Sequence, residues 1–143
     1  MSEWDDLEKK LEEELQKTKD FASTYVYSVA THAANRSIAN APILKGHLRA
    51  AIHATPPKTS GDNVTSTVEV SGVPYALKQH EELTPAGPLN LGPISSQQPG
   101  TPEGGVGGKY IERVVKFHLA RYNSSIKGAY NSFRLGNTTV RLE

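Results

Sequence analysis

The chain has 143 residues, of which 36% are hydrophobic and 22% charged, as is typical of one folded domain rather than a disordered segment. It contains no cysteine, which excludes disulfide bonds and thiolate metal sites. The net charge is +1, but residues 1–14 carry −5 and the rest of the chain carries +6. Because no signal peptide and no apolar run of ~18 residues is found, we expect an intracellular protein at synthesis that has no membrane partner.

Residues 1–40 predict one long amphipathic helix. Ser2 and Asp5 have the spacing of a capping box, no Gly or Pro interrupts the segment, and Asn40-Ala41-Pro42 ends it. Such a helix would be ~55 Å long, whereas a chain of this size has a radius of gyration of only ~15 Å. We therefore expect part of the helix to extend beyond the domain. Its apolar stripe advances in steps of three and four residues: Trp4, Leu7, Leu11, Leu15, Thr18, Ala22, Tyr25, Val29 and Ala33.

The acidic charge of residues 1–14 has two interpretations. It is explained most simply as a solvated helix start, because carboxylates are stabilised near the positive end of the helix dipole. It could also face a basic surface on a second copy of the chain, or favour contact with DNA elsewhere on the molecule.

Residues 41–82 predict a small antiparallel sheet. Within this segment, residues 41–54 are predicted to form either a turn that enters a strand or a short helix. Residues 64–71 are the clearest predicted strand, because Val alternates with polar residues there. Residues 75–81 are the next predicted strand, entered through Pro74, whose missing N–H suits the start of a strand or an edge. Such an edge would be a natural place for a neighbouring copy to bind.

Residues 83–108 predict an extended loop. They contain five prolines and seven glycines without apolar periodicity, and the segment greatly exceeds the usual connection of ~4–6 residues. We expect it to become ordered when copies assemble. The glycines before the following helix could hold an anion through backbone N–H groups, but no phosphate-binding motif accompanies them, which favours a flexible hinge.

A second helix is predicted over residues 109–134, interrupted at Gly128, and a short terminal strand over 137–143. The helix is basic, with six Lys and Arg side chains against Glu112. Lys109, Arg113 and Lys116 share one side at spacings of four and three. This side could contact DNA phosphates, or it could meet the acidic helix of another subunit.

No catalytic constellation is visible. The five histidines lack metal-ligand spacing, and no nucleophile motif accompanies the serines and threonines. We expect no catalytic residue, no cofactor and no metal, and therefore not an enzyme. An enzyme with an unrecognised site remains the alternative.

Three segments together carry a resemblance to a known family. They are APILKGHLRAAI at 41–52, GVPYALKQHEE at 72–82 and GGKYIERVVKFHLARY at 107–122. In this order, behind a long N-terminal helix, they resemble the small neck or minor capsid proteins of tailed bacteriophages, often labelled tail-completion or tail-component proteins. The resemblance spans roughly residues 4–133. It departs at Lys45, where the family usually has Thr, and in the longer loop 83–108.

The resemblance implies a single domain over 1–143 with a small β-sandwich-like sheet flanked by two helices. It implies a structural ring subunit, of sixfold or twelvefold symmetry, that joins the DNA-filled head to the tail as a head–tail connector, tail-completion or terminator protein. The implied partners are further copies of the chain, the portal or its adaptor and tail proteins, with non-specific DNA contact in the channel. The implied location is the virion neck, and the host cytoplasm during assembly.

Two sets of residues are therefore candidate sites. The expected DNA-channel or anion-facing residues are Lys109, Arg113 and Lys116. The alternative function is a nucleic-acid-binding module that uses the basic helix 109–134. The expected subunit-interface residues are Trp4, Leu7, Leu11, Pro74, Tyr75, Leu77, Leu89, Leu91 and Ile94.

Overall fold

The computed structural model describes residues 2–43, 46–61, 63–85, 87 and 89–134, and it shows an α+β fold. The predicted fold class is confirmed, while the predicted strand at 137–143 lies outside the described residues. Within those residues, five helices and four short strands follow one another. In chain order they are α1 Glu3–Asn40, α2 His47–Ala51, β1 Ile52–Ala54, β2 Lys58–Ser60, β3 Asn63–Thr65, β4 Val68–Val70, α3 Ala76–Glu82, α4 Pro93–Ser96 and α5 Tyr110–Arg134.

Helix α1 forms as predicted. Ser2 and Asp5 make the reciprocal capping box, each side chain accepting from the other backbone N–H at 3.3 Å. The helix runs without interruption to Asn40. Only its C-terminal half carries buried residues, the first of them Tyr25. No helix in the described part of the chain has the length and apolar character needed to cross a bilayer.

The core lies where the C-terminal half of α1 meets the strands and the start of α5. Several of the buried side chains on α1 are small, among them Ala33, Ala34 and Ser37, which lets neighbouring elements approach closely. One cluster contains Ala34, Ala41, Leu48, Ile52 and Tyr110, and an adjoining cluster contains Ala33, Val114 and Tyr122. Helix α5 therefore packs mainly along α1, and it touches the strands through its first turns.

The strand region is one hairpin divided into two two-stranded antiparallel sheets. Ile52 pairs with Val70 in the inner sheet, and Lys58 pairs with Thr65 in the outer sheet. Between them, three residues (55–57) face two (66–67), so the hairpin contains a bulge. The predicted single strand 64–71 is wrong, because Pro56 and Pro57 opposite its middle have no N–H to donate to a ladder.

The predicted strand 75–81 is also wrong, since this segment is helix α3. Pro74 and Tyr75 lie in the turn that precedes the helix. Apart from His80, the residues that follow are Ala, Leu, Lys, Gln and Glu, which are good helix formers and show no alternation. Tertiary packing supports the helix, since Ala76 contacts the core cluster and its carbonyl accepts from the Tyr110 hydroxyl at 3.1 Å. The predicted edge for a neighbouring copy is therefore absent at this segment.

Helix α5 continues through Gly128, where an interruption was predicted. A mid-helix glycine costs about 1 kcal/mol relative to alanine, but packing against α1 on either side of it offsets this cost. Before the glycine, the Tyr25 hydroxyl of α1 donates to the Tyr122 carbonyl at 2.5 Å. After it, the ring of Phe133 stacks on Phe21 with centroids 4.8 Å apart.

Replacing Gln79 by proline tests whether residues 76–82 are helical. The Gln79 N–H donates to the Tyr75 carbonyl at 3.0 Å, and proline would remove this bond and clash with that carbonyl. We expect the free energy of unfolding, measured by urea denaturation, to fall by about 3 kcal/mol. The control Leu77→Ala changes an exposed residue of the same helix and should stay within about 0.5 kcal/mol. Equally small effects of the two substitutions would contradict the helix.

Candidate functional site

The most concentrated polar chemistry in the described residues surrounds the carboxylate of Glu103, whose side chain is fully buried. Glu103 belongs to the loop between α4 and α5. Arg36 of α1 donates to it through two nitrogens, Nε to Oε2 at 2.8 Å and Nη2 to Oε1 at 2.7 Å. His118 of α5 donates from Nε2 to Oε2 at 2.9 Å, and Asn40 of α1 donates from Nδ2 to Oε1 at 3.4 Å. We call these four residues the Glu103 network.

The electrostatics of the network follow from these contacts. The Arg36 guanidinium, helped by His118, holds the pKa of the Glu103 carboxyl well below its usual range, although burial acts in the opposite direction. The hydrogen bond to Glu103 raises the pKa of Arg36. Because each carboxylate oxygen accepts two bonds, Glu103 is an ionised and saturated acceptor. It has no free lone pair with which to act as a general base.

The same loop is attached to both helices through its backbone. Arg113 of α5 donates to the carbonyls of Glu103, Gly105 and Gly108, each at 2.8 Å. The Gly107 N–H donates to the Asn40 carbonyl at 3.0 Å. The C-terminal part of loop 83–108 is therefore docked on its own chain, so the expectation that it becomes ordered only on assembly is wrong for this part.

Close approach explains the glycines of this loop. Gly104 has φ +109°, and a Cβ there would lie 2.9 Å from the Arg113 Nη1 atom. A Cβ on Gly107 would lie 2.3 Å from the Thr84 carbonyl oxygen. The N–H groups of Gly107 and Gly108 donate to the carbonyls of Asn40 and Thr84. These amides are thus occupied by protein acceptors, and neither the anion interpretation nor the flexible hinge describes them.

One tyrosine and a second histidine extend the network along the α1–α5 contact. The His32 Nδ1 lies 2.7 Å from the Tyr122 hydroxyl, and its ring meets the His118 ring edge to face with centroids 5.0 Å apart. Burial, followed by the nearby His118, lowers the pKa of His32. Burial raises the pKa of Tyr122 to about 12. His32 and Tyr122 therefore remain neutral near pH 7 and act as a hydrogen-bonded pair in the helix contact.

The predicted interface residues fall in separate regions. Trp4 is 78% exposed and Leu11 62% exposed, and both lie on the first third of α1. Pro74, Tyr75 and Leu77 lie beside or within α3, at the other end of α1. Leu89 and Ile94 are exposed in the long loop, where Leu91 is half-buried. The structure therefore does not bring the nine residues into one surface.

The predicted anion-facing residues are largely engaged within the chain. The Lys109 ammonium pairs with Glu81 and, at 3.2 Å, with Glu112. Arg113 binds the loop carbonyls described above. The Lys116 ammonium lies 2.9 Å from Glu112, but its side chain is 74% exposed. Of the three residues, Lys116 alone presents most of its side chain to solvent.

The sequence interpretation missed the Glu103 network. Arg36, Glu103 and His118 are separated by 67 and 15 residues, and no local spacing connects them. One signal was present, because Glu103 is an isolated charge in a loop otherwise made of Gly, Pro and uncharged residues. Within the described residues, no group of three or more His, Asp or Glu side chains is arranged to hold a metal ion.

Comparison of the chain with protein-family models, with curated protein sequences and with solved structures gave no match.

Glu103→Ala tests the role of the network in stability. Removing the carboxylate leaves Arg36 without its partner beside the core, and we expect the free energy of unfolding to fall by about 3 kcal/mol. Urea denaturation provides the measurement. The matched control is Glu69→Ala, which removes a carboxylate 2.9 Å from His53 in an exposed pair and should cost at most about 1 kcal/mol. Equal losses in the two variants would show that the network does not anchor the fold.

His32→Gln tests the pH dependence of the helix contact. Because the folded-state pKa of His32 is lowered, its contribution to stability is present above the ordinary histidine pKa of about 6.5 and is lost as the pH falls below it. The free energy of unfolding of the wild type should therefore decrease more steeply from neutral to mildly acidic pH than that of the variant. Denaturation curves at a series of pH values measure both slopes.

His53→Gln is the control of opposite sign. The hydrogen bond to the Ala51 carbonyl, and then Glu69, raise the pKa of His53. Its contribution is present at low pH and is lost as the pH rises through the folded-state pKa. Acidification should therefore destabilise the His53→Gln variant more than the wild type. Identical pH slopes in the wild type and the His32→Gln variant would contradict the assignment.

Proposed function

We propose that this chain is a structural virion protein that forms a ring in the neck of a tailed bacteriophage, as a head–tail connector, tail-completion or terminator protein. The observation that carries the proposal is the N-terminal third of α1. All residues from 2 to 18 are exposed, yet they include a regular apolar stripe whose purpose a monomer does not explain. A helix of this kind is suited to a subunit that is completed by its neighbours.

The three segments that carry the family resemblance also support the proposal, because they meet around one residue. Tyr110 packs in the cluster that contains Ala41, Leu48 and Ile52 of the first segment. Its hydroxyl donates to the Ala76 carbonyl of the second segment, and its ring lies 4.8 Å from the His80 ring. Segments distant in sequence thus form one structural unit. The unit differs from the family expectation in having helix α3 at the second segment and one hairpin of two two-stranded sheets in place of a β-sandwich-like sheet.

A structural role rather than a catalytic one fits the chemistry of the Glu103 network. Its charged groups bind one another and the loop backbone, so their hydrogen-bonding capacity is used to hold the chain together. In the proposed role the partners are other copies, the portal or its adaptor, and tail proteins. The protein would be made in the host cytoplasm and be located in the virion neck.

The nucleic-acid-binding alternative has less support. It relied on one basic face of α5, but Lys109 pairs with carboxylates and Arg113 donates to three backbone carbonyls. Lys116 and Lys127 remain exposed on this helix, and two charges make only a weak phosphate-binding surface. DNA contact in the channel therefore enters the proposal only as a non-specific contact of an assembled ring.

The ring is tested with the purified chain. Native mass spectrometry and negative-stain electron microscopy over a concentration series should show closed oligomers, with sixfold or twelvefold symmetry as the expected outcome. Addition of double-stranded DNA at low salt should produce at most weak binding. A chain that stays monomeric up to millimolar concentration while binding DNA tightly would overturn the proposal in favour of a nucleic-acid-binding module.

A further inference from the structure

The N-terminal part of α1, residues 3–18, extends beyond the contacts with α5 and is called the overhang here. The contacts of α5 reach as far as Phe21, whose ring lies 6.1 Å from that of Tyr130. From there the overhang continues for 16 residues, or about 24 Å at 1.5 Å per residue. Every residue in it is exposed, so no described part of the chain covers it.

The apolar stripe of the overhang continues the face that α1 uses against α5. Trp4, Leu7, Leu11 and Leu15 follow one another at spacings of three and four, and the same progression leads to Tyr25 in the helix contact. The face of α1 that packs on α5 thus continues into the apolar stripe of the overhang, which no described residue covers. This continuity indicates that another helix covers the overhang.

Helix α5 presents a second apolar surface that is largely exposed in the described structure, which we call the outer ridge: Val115, Leu119, Ile126 and Tyr130, the last of which also contacts Phe21 of α1 at one edge. These residues are spaced by four, seven and four positions and therefore lie on one face. Leu119 is 49% exposed and Ile126 47% exposed. The ridge extends over about 22 Å of helix, similar in length to the overhang, and lies beside the face that packs against α1.

The charges beside the two surfaces are complementary. Residues 3–14 contain seven acidic side chains and two lysines, whereas Lys116 and Lys127 lie next to the outer ridge, where Glu112 already pairs with Lys109 and Lys116. Two overhangs packed together would bring a net charge of −4 on each into contact, which is unfavourable. The charges therefore favour the outer ridge, rather than a second overhang, as the surface that packs against the overhang.

We propose that the overhang of one copy packs its apolar stripe on the outer ridge of α5 in the next copy. The two surfaces are different, so the contact is heterologous and repeats from copy to copy until a ring closes. This inference rests on the proposed function in assuming that copies associate, and it names the surfaces through which they do so. The alternative occupants of the overhang are a second overhang and residues 135–143 of the same chain.

Two surface substitutions and salt test the contact. Leu11→Glu and Leu119→Glu change exposed residues and should leave the circular dichroism spectrum unchanged, while each raises the dissociation constant of self-association at least about tenfold. The control Tyr27→Glu changes an exposed residue of α1 outside the apolar stripe and should leave association unchanged. Added salt should weaken association in sedimentation experiments, because it screens opposite charges. Strengthening by salt would overturn the proposal in favour of paired overhangs.

Engineered cysteines identify the partner surface, since the natural chain has none. A Leu11→Cys variant is mixed with a size-tagged Leu119→Cys variant and mildly oxidised. We expect the mixed disulfide between the two variants to form in preference to either disulfide-linked homodimer. Tyr27→Cys replaces Leu11→Cys in the control mixture, where the mixed disulfide should not be preferred. The same experiment is repeated with Leu7→Cys or Leu15→Cys mixed with Ile126→Cys. These mixtures detect the contact if the overhang packs on the outer ridge in a different register.

Three outcomes would overturn the inference. They are a predominant Leu11→Cys homodimer, an intramolecular disulfide in a Leu11→Cys/Val140→Cys double variant, and no mixed disulfide in any register. If rings still form in those cases, the proposed function survives while this interface is wrong. If the chain never associates, the proposed function fails together with the inference.

Discussion

The arrangement of this protein depends on one buried carboxylate. Glu103 has no exposed side-chain surface, and an ionised group in that position must be neutralised and fully hydrogen-bonded. Arg36 and Asn40 supply these bonds from α1, and His118 supplies another from α5. The hydrogen bonds to this one carboxylate therefore set the relative position of both long helices and hold the glycine-rich loop between them.

The helix contact also decides which part of α1 remains uncovered. Tyr25 bonds to Tyr122 and Phe21 stacks on Phe133, next to the last described residue of α5, while α1 continues beyond these contacts. The overhang therefore follows from helix register as well as from helix length. Its acidic character and the lysines beside the outer ridge of α5 give these two surfaces opposite charge, a property suited to head-to-tail association.

Local sequence predicted the long helices well and the middle of the chain poorly. The capping box at Ser2 and the steps of three and four residues define α1 because both are contained within a few turns. Segment 75–81 is a helix rather than the predicted strand, because most of its residues favour a helix and Pro74 only precedes it. The hairpin bulge depended on Pro56 and Pro57 facing residues 66–67, a pairing that no local pattern contains. The same holds for the Glu103 network, whose members come from three distant segments.

The amino-acid sequence by itself determined the fold class, the bounds of the two long helices and the uneven distribution of charge, because helix periodicity and charge are local properties. It also determined that α1 is longer than a domain of this size can cover. Only the tertiary structure decided that the glycine-rich loop docks on its own chain and that Lys109 and Arg113 are engaged internally. These features depend on pairings across 28 residues for Lys109 with Glu81 and 67 residues for Arg36 with Glu103. The Arg36–Glu103 contact requires the packed helices, because burial of the Glu103 carboxylate makes it require a charged partner.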